Sequence, residues 1–334
     1  TTVTAGMVTG CEAGVLADAD STGTVLEGNI ISGNVLAVDA ASDVDATLNY
    51  WGAADPDFAS IISGPVAYSP WWADAGMMQV RASAVFVDDD YNAATPGWGV
   101  THFASVQDGV DATAIGGTLT VADGSYTGQV EVTRSMSMVG VGLPEIVSPA
   151  APLAAYTIGG VTYESVVLAY GGTNDAGTIS GTDTIDFNIT GFAIKGTEAF
   201  SAHPVQSAAL LVHSVEGEIA DNEISGMLVD AGNPRTYGIM ARGAGDLAIT
   251  GNTITEFNRG GIYVYGSAGG MWASISNNAV AGDGLRPIGK WAQNGIVILS
   301  GADGEIVDNQ VSNVRCGDPD WGSSGILLYD AADG

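Results

Sequence analysis

Four stretches of this 334-residue chain are versions of one another: GEIADNEISG (217–226), LAITGNTITE (247–256), ASISNNAVAG (273–282) and GEIVDNQVSN (304–313). Each places an aliphatic residue three positions before an Asn and another two positions after it. The asparagines are Asn222, Asn252, Asn278 and Asn309. Between them recurs a second block, YGIMARG (237–243), GGIYVYG (260–266), NGIVILS (294–300) and SGILLYD (324–330), in which side chains alternate with the period of two that marks a strand. A unit of roughly 20–35 residues holding two or three short strands is the signature of a solenoid with one coil per unit. The expected fold class is therefore all-β: a right-handed parallel β-helix, with a short capping helix and a connector.

In such a solenoid the Ile, Val and Leu positions stack on their equivalents in neighbouring coils. The asparagines have two structural readings. They form a buried ladder in which each amide bonds to the next, or each merely adopts a left-handed turn conformation. Asn29 and Asn49 occupy the same position in the opening residues, as does Gly6, and Asn188, within an N-I-T sequon, is assigned to the same register.

The chain closes on ILLYDAADG and opens on TTVTAGMVTG. Joined end to start, these make an unbroken run of coils. Residues 1–75 read as the last coils and closing cap of a β-helix, residues 76–100 as a connector, and residues 101–334 as an opening cap followed by coils that remain open at their C-terminal edge. The opening cap is a short helix carrying Phe103, Val106 and Val110 on one face. The closing cap is aromatic, with Trp51, Phe58, Trp71 and Trp72, and Pro56, Pro65 and Pro70 block strand continuation. No signal peptide is visible and the first residue is not Met, which points to a chain processed or cut from something longer.

These features resemble one family: the right-handed parallel β-helix repeat proteins found in large bacterial and archaeal surface polypeptides. The resemblance rests on the opening FASVQDGVDATAIGGTLTVADGSYTGQVEVTRSMSMVGVG, the repeated Asn-centred coils and the closing LNYWG…GPVAYSPWW. It covers nearly the whole chain, but in permuted order. It specifies fold far better than function, since the scaffold carries lyases, hydrolases, adhesins and surface-layer subunits alike.

Three closures fit the permutation: one unit of a covalent tandem array, a subunit stacking head to tail on its neighbour, or residues 1–72 docking on the open end of the same chain. About eight coils at ~4.8 Å span roughly 40 Å, within the connector's extended reach of about 90 Å. If residue 334 leads into residue 1, Cys11 and Cys316 fall on adjacent coils. A Cys11–Cys316 disulfide, within or between chains, stands against two free thiols.

No catalytic constellation is legible. Paired carboxylates across a groove, HExxH, EF-hand and CxxC patterns are missing, and His102, His203 and His213 share no ligand spacing. The expectation is a non-enzyme. One outward column deserves a test: His213, Arg242, Tyr263, Tyr265 and Tyr329, interspersed with Leu211, Met240, Val297, Leu299 and Leu327. It would serve as a face for a glycan or a protein neighbour, or lie covered by loops such as 231–238 and 282–295. In the connector, Asp88, Asp89 and Asp90 are candidate calcium ligands or a solvated acidic turn.

Composition narrows partners. Thirty-eight acidic residues face nine basic ones, a formal charge of −29, which argues against binding nucleic acid. No apolar run is long enough to span a membrane. An extracellular or cell-surface setting fits. The expected role is a structural repeat or subunit that assembles with other copies of itself, as fibre, surface layer or adhesin-like stalk. The alternative is a polysaccharide-binding or polysaccharide-cleaving β-helix.

Overall fold

The computed structural model describes residues 1–150, 153–197, 200, 205–229 and 234–332. The chain divides into two compact units. One comprises Thr1–Ala104 with Asp111–Leu119, the other Ser105–Val110 with Thr120–Gly334.

The larger unit is a parallel β-helix with three faces. The first carries Glu145–Val147, Ala193–Lys195, Glu223–Ser225, Thr253–Ile254, Ala279–Arg286 and Gln310–Cys316, paired in parallel. The second carries Val161–Tyr170, Gln206–His213, the first half of Arg235–Thr250, the first half of Gly260–Ser276, Asn294–Leu299 and Ser324–Tyr329. The third carries Met136–Val141, Ile185–Thr190, Val215–Ala220, the second halves of the two long strands, and Asp303–Val307. Each long strand therefore turns a corner of the solenoid. Gly245 permits one corner: its φ is +117°, and a Cβ there would lie 2.3 Å from the carbonyl oxygen of Val215.

The core consists of columns. Met138, Ile189, Ile219, Ile249 and Ile275 are each in register with the next and wholly buried, as are Ile146, Ile194, Ile224, Ile254 and Val280 on another face. Burial at each such position contributes about 1.5–3 kcal/mol, and the period-two alternation of the repeats keeps these residues pointed inward.

The asparagines form a ladder. Nδ2 of Asn222 donates to Oδ1 of Asn252 at 3.0 Å, Asn252 to Asn278 at 2.9 Å, and Asn278 to Asn309 at 2.9 Å. Each also donates to a main-chain carbonyl of the preceding coil, as Asn252 does to Ile219 at 2.9 Å. The left-handed conformation falls instead on the residue before each Asn: Asp221, Gly251, Asn277 and Asp308 have φ of +53°, +68°, +57° and +55°. That settles the two readings in favour of the ladder. Asn188 does not belong to it. It lies half-buried on the outer side of Ile185–Thr190 and donates to Asp186 at 2.9 Å. The ladder position of that coil is Phe192, whose N–H donates to Oδ1 of Asn222 at 3.0 Å. The sequon spacing had imitated the register, because Asn188 and the true position lie on the same turn of chain.

The capping helix is Val106–Ala112, with Val106 and Val110 buried. Gln107 exchanges hydrogen bonds with the backbone of Glu131 at 2.7 and 3.2 Å. Phe103 is not on the helix but in the strand His102–Phe103 that precedes it, so helical spacing overextended that element by a turn.

The smaller unit repeats the three-faced plan. Thr2–Thr4, Thr24–Glu27, Val44–Asp45 and Val66–Ala67 pair in parallel, as do Ala13–Ala17, Leu36–Ala40 and Ile62–Ser63. Asn29 donates to Asn49 at 2.9 Å. Trp51 and Trp71 are buried at the closing cap, with Phe58 stacked on Tyr68 at 3.9 Å and edge-on to Trp71 at 4.8 Å. Trp72 is half-buried. The connector contributes the strand Val80–Val87, antiparallel to Trp71–Trp72 and parallel to His102–Phe103.

Candidate functional site

The outward column is largely roofed. Leu168, Leu211, Met240, Tyr263 and Val297 are in register from coil to coil and buried in one cluster with Ile158, Tyr163 and Ile179. The cover comes from Ala155–Ile158 and Thr178–Ser180, strands that sequence reasoning did not single out, together with the loop segment Lys290–Ala292. A second outward column runs Tyr170, His213, Arg242, Tyr265, Leu299, Tyr329. Its exposure changes sharply along the solenoid: His213 and Arg242 are 7% and 6% exposed, Tyr265 is half-buried, and Tyr329 is 67% exposed.

Where the roof parts, a cavity of about 540 Å³ opens on the outer face. The turn Gly159–Tyr163 forms one side. Lys290–Ala292 and Asp318–Trp321 form the other, and Arg235, Tyr237, Arg242 and Tyr265 make the floor. Of the chain's nine basic residues, four line this cavity (Arg235, Arg242, Arg259 and Lys290), against one acid, Asp318.

Arg242 sits at the centre. Its guanidinium carbon lies 4.8 Å from the ring centroid of Tyr163 and 4.7 Å from that of Tyr265, and Nη1 donates to the Tyr163 hydroxyl. Its buried Nε has no hydrogen-bond partner. Arg235 lies 4.3 Å over the Trp291 ring, also with an unpartnered Nε. Arg259 donates to the Ala292 carbonyl. Burial holds the Tyr163 phenol above its ordinary pKa, with the Arg242 charge pulling the other way. Neighbouring His213 is pushed down to about 4, chiefly by burial and then by Arg242. Both of its ring nitrogens are buried without a hydrogen-bond partner.

Of the five column residues expected to form a binding face, Arg242, Tyr263 and Tyr265 line the cavity, while His213 and Tyr329 do not. Tyr163, Arg235, Arg259, Lys290, Trp291 and Trp321 were missed. The available signal was VTYESVVLAY (161–170), a strand too continuously apolar to have one face in water.

The remaining candidates lie elsewhere. Side-chain oxygens of Asp88, Asp89 and Asp90 all fall within 4.8 Å of one another, and the Asp90 N–H donates to Asp88 at 3.0 Å. Such oxygens suit a hard cation. Cys11 is exposed and Cys316 half-buried, and both are free thiols. Cys11 places its thiol 3.5 Å from the Thr9 carbonyl.

No curated protein and no solved structure matches the chain. Residues 237–334 match the family model described as right handed beta helix region. That stretch holds three of the ladder asparagines and all four Gly-led strands. Over these coils the chain is similar to right-handed β-helix proteins.

Proposed function

We propose that the chain is a non-catalytic structural unit of an extracellular or cell-surface assembly, in which β-helical coils of further copies continue its own. The observation that supports this reading is the state of the strand Ser324–Tyr329. Its inward residues Ile326 and Leu328 are 51% and 62% exposed, whereas Ile296 and Ile298, in register one coil earlier, are 0% and 3% exposed. An apolar column ending in water beside an unpaired strand edge is a template for another strand. A further coil, whether from the same polypeptide or another copy, would bury both side chains and complete the strand's backbone pairing. The acidic balance of −29 fits a surface setting.

Sedimentation velocity over a range of concentrations, with electron microscopy of the same samples, tests the reading. The chain is expected to form head-to-tail oligomers, and Leu328→Glu to hold it as a folded monomer. A chain that stays monomeric throughout, or a Leu328→Glu variant that assembles like the parent, would sink it. Running each sample with and without reductant shows whether Cys11 and Cys316 link neighbouring copies.

A further inference from the structure

The cavity holds an arrangement that coil stacking does not require. Arg242 is 94% buried by the complement of its 6% exposure. Among the described residues, neither it nor Arg235 nor Arg259 has a carboxylate in ion-pair range. This occurs in a chain with 38 acidic residues to nine basic ones. A buried guanidinium without a counter-ion is costly, and ring faces offset only part of that cost.

The geometry of Arg242 states what is missing. Tyr163 and Tyr265 lie within cation–π range of the guanidinium, and the Tyr163 hydroxyl takes Nη1. Nη2 remains, while Nε is buried without a hydrogen-bond partner. Gly159 lies beside Nη2: a Cβ on it would come within 3.1 Å of that atom. The space beside Nη2 is therefore kept open by a residue without a side chain. Around it the walls are aromatic, with Tyr237, Tyr263, Trp291 and Trp321. Flat rings are well matched by such walls, and about 540 Å³ suits a small molecule.

We propose that this cavity binds a small organic oxyanion, in which a carboxylate, phosphate or sulfate group on a body of one or two rings sits against Nη2 of Arg242. Arg235 and Arg259 add positive potential, and the aromatic walls take the ring. The ligand enters end-on from the outer face rather than running along a groove, because the Gly159–Tyr163 turn and the Lys290–Ala292 and Asp318–Trp321 segments flank the opening. This inference is independent of coil continuation.

Calorimetric titration and tryptophan fluorescence of the full chain test it, with Leu328→Glu as background so that assembly does not contribute heat. The probes are phenyl phosphate, benzoate and glucuronate, their neutral counterparts benzyl alcohol and methyl glucoside, and inorganic phosphate alone. At least one ringed oxyanion is expected to saturate, and its neutral counterpart to bind at least about tenfold more weakly. Arg242→Gln is expected to weaken the anion by about tenfold or more, and Trp321→Phe to reduce the fluorescence change. Should Arg242→Gln fail to fold, Arg235→Gln, at a half-buried position, carries the same expectation with a smaller loss. Preference between the aromatic anions and glucuronate identifies the ring body. No saturable binding below about 10 mM, equal binding of neutral counterparts, or inorganic phosphate binding as tightly as the ringed anions would each overturn the proposal.

Discussion

Asn252 holds Asn222 by two hydrogen bonds: its Oδ1 accepts from Nδ2 of Asn222 at 3.0 Å and from the backbone N–H of the same residue at 3.1 Å. Its own Nδ2 donates onward to Asn278 at 2.9 Å. Every polar atom of a wholly buried amide is thereby used, and each coil is tied to the next at the same corner. An unsatisfied buried polar group costs about 1–3 kcal/mol, so removing one rung exposes several such groups at once. Asn252→Ala is expected to lose about 3 kcal/mol in urea denaturation, whereas Asn309→Ala, on a half-buried rung at the end of the ladder, loses about 1 kcal/mol. Equal losses would mean the ladder does not act through burial.

The same contrast applies to the apolar columns. Ile296 is wholly buried and Ile326 half exposed, although they are in register on adjacent coils. Ile296→Ala is expected to cost about 3 kcal/mol and Ile326→Ala less than about 1 kcal/mol in the monomer. If coils of another copy cover Ile326, the second figure rises with protein concentration, which thermal melts at two concentrations would detect.

His213 links burial to pH. Its native pKa of about 4 lies below the ordinary 6.5 because the ring is buried and faces the Arg242 charge. Between those values the unfolded chain binds a proton that the native chain does not. Stability from this group is fully present above pH 6.5, falls as pH drops through the window at about 1.4 kcal/mol per unit, and is level below pH 4. His213→Leu is expected to lose this component, so that the difference in unfolding free energy between parent and variant changes by about 3 kcal/mol from pH 7 to pH 4. A constant difference would show that the imidazole is solvated.

Asp88, Asp89 and Asp90 crowd three carboxylates into one turn after the strand Val80–Val87. Calcium is proposed to relieve their repulsion. Millimolar calcium is expected to slow proteolysis around residues 88–92 and raise the melting temperature, with no response in Asp88→Asn/Asp89→Asn. Identical behaviour in calcium and in chelator would identify a solvated acidic turn.

Much of this fold was legible because its periodicity is local. The spacing from Ile219 to Asn222 to Ile224 recurs around Asn252, Asn278 and Asn309, and one repeated pattern suffices to specify a coil and its register. Asn188 misled because a sequon-like Asn on an outward strand position satisfies the composition of a rung without its corner geometry. The left-handed residue just before each rung, such as Asp221, is the better marker. Among the residues that line the cavity, Arg242 and Tyr265 were singled out because they share a column, but Tyr163 and Trp291 were not, since they come from segments outside the repeat.

The sequence by itself determined the solenoid, the register of its asparagines and the place of its caps, because each depends on neighbours at a fixed spacing along the chain. Only the tertiary structure decided which outward residues meet water. The Ala155–Ile158 and Thr178–Ser180 strands bury Leu211 and Met240 while leaving Arg242 facing a cavity. That outcome depends on how a non-repeating insertion packs across coils that are distant in sequence, and no periodicity encodes it.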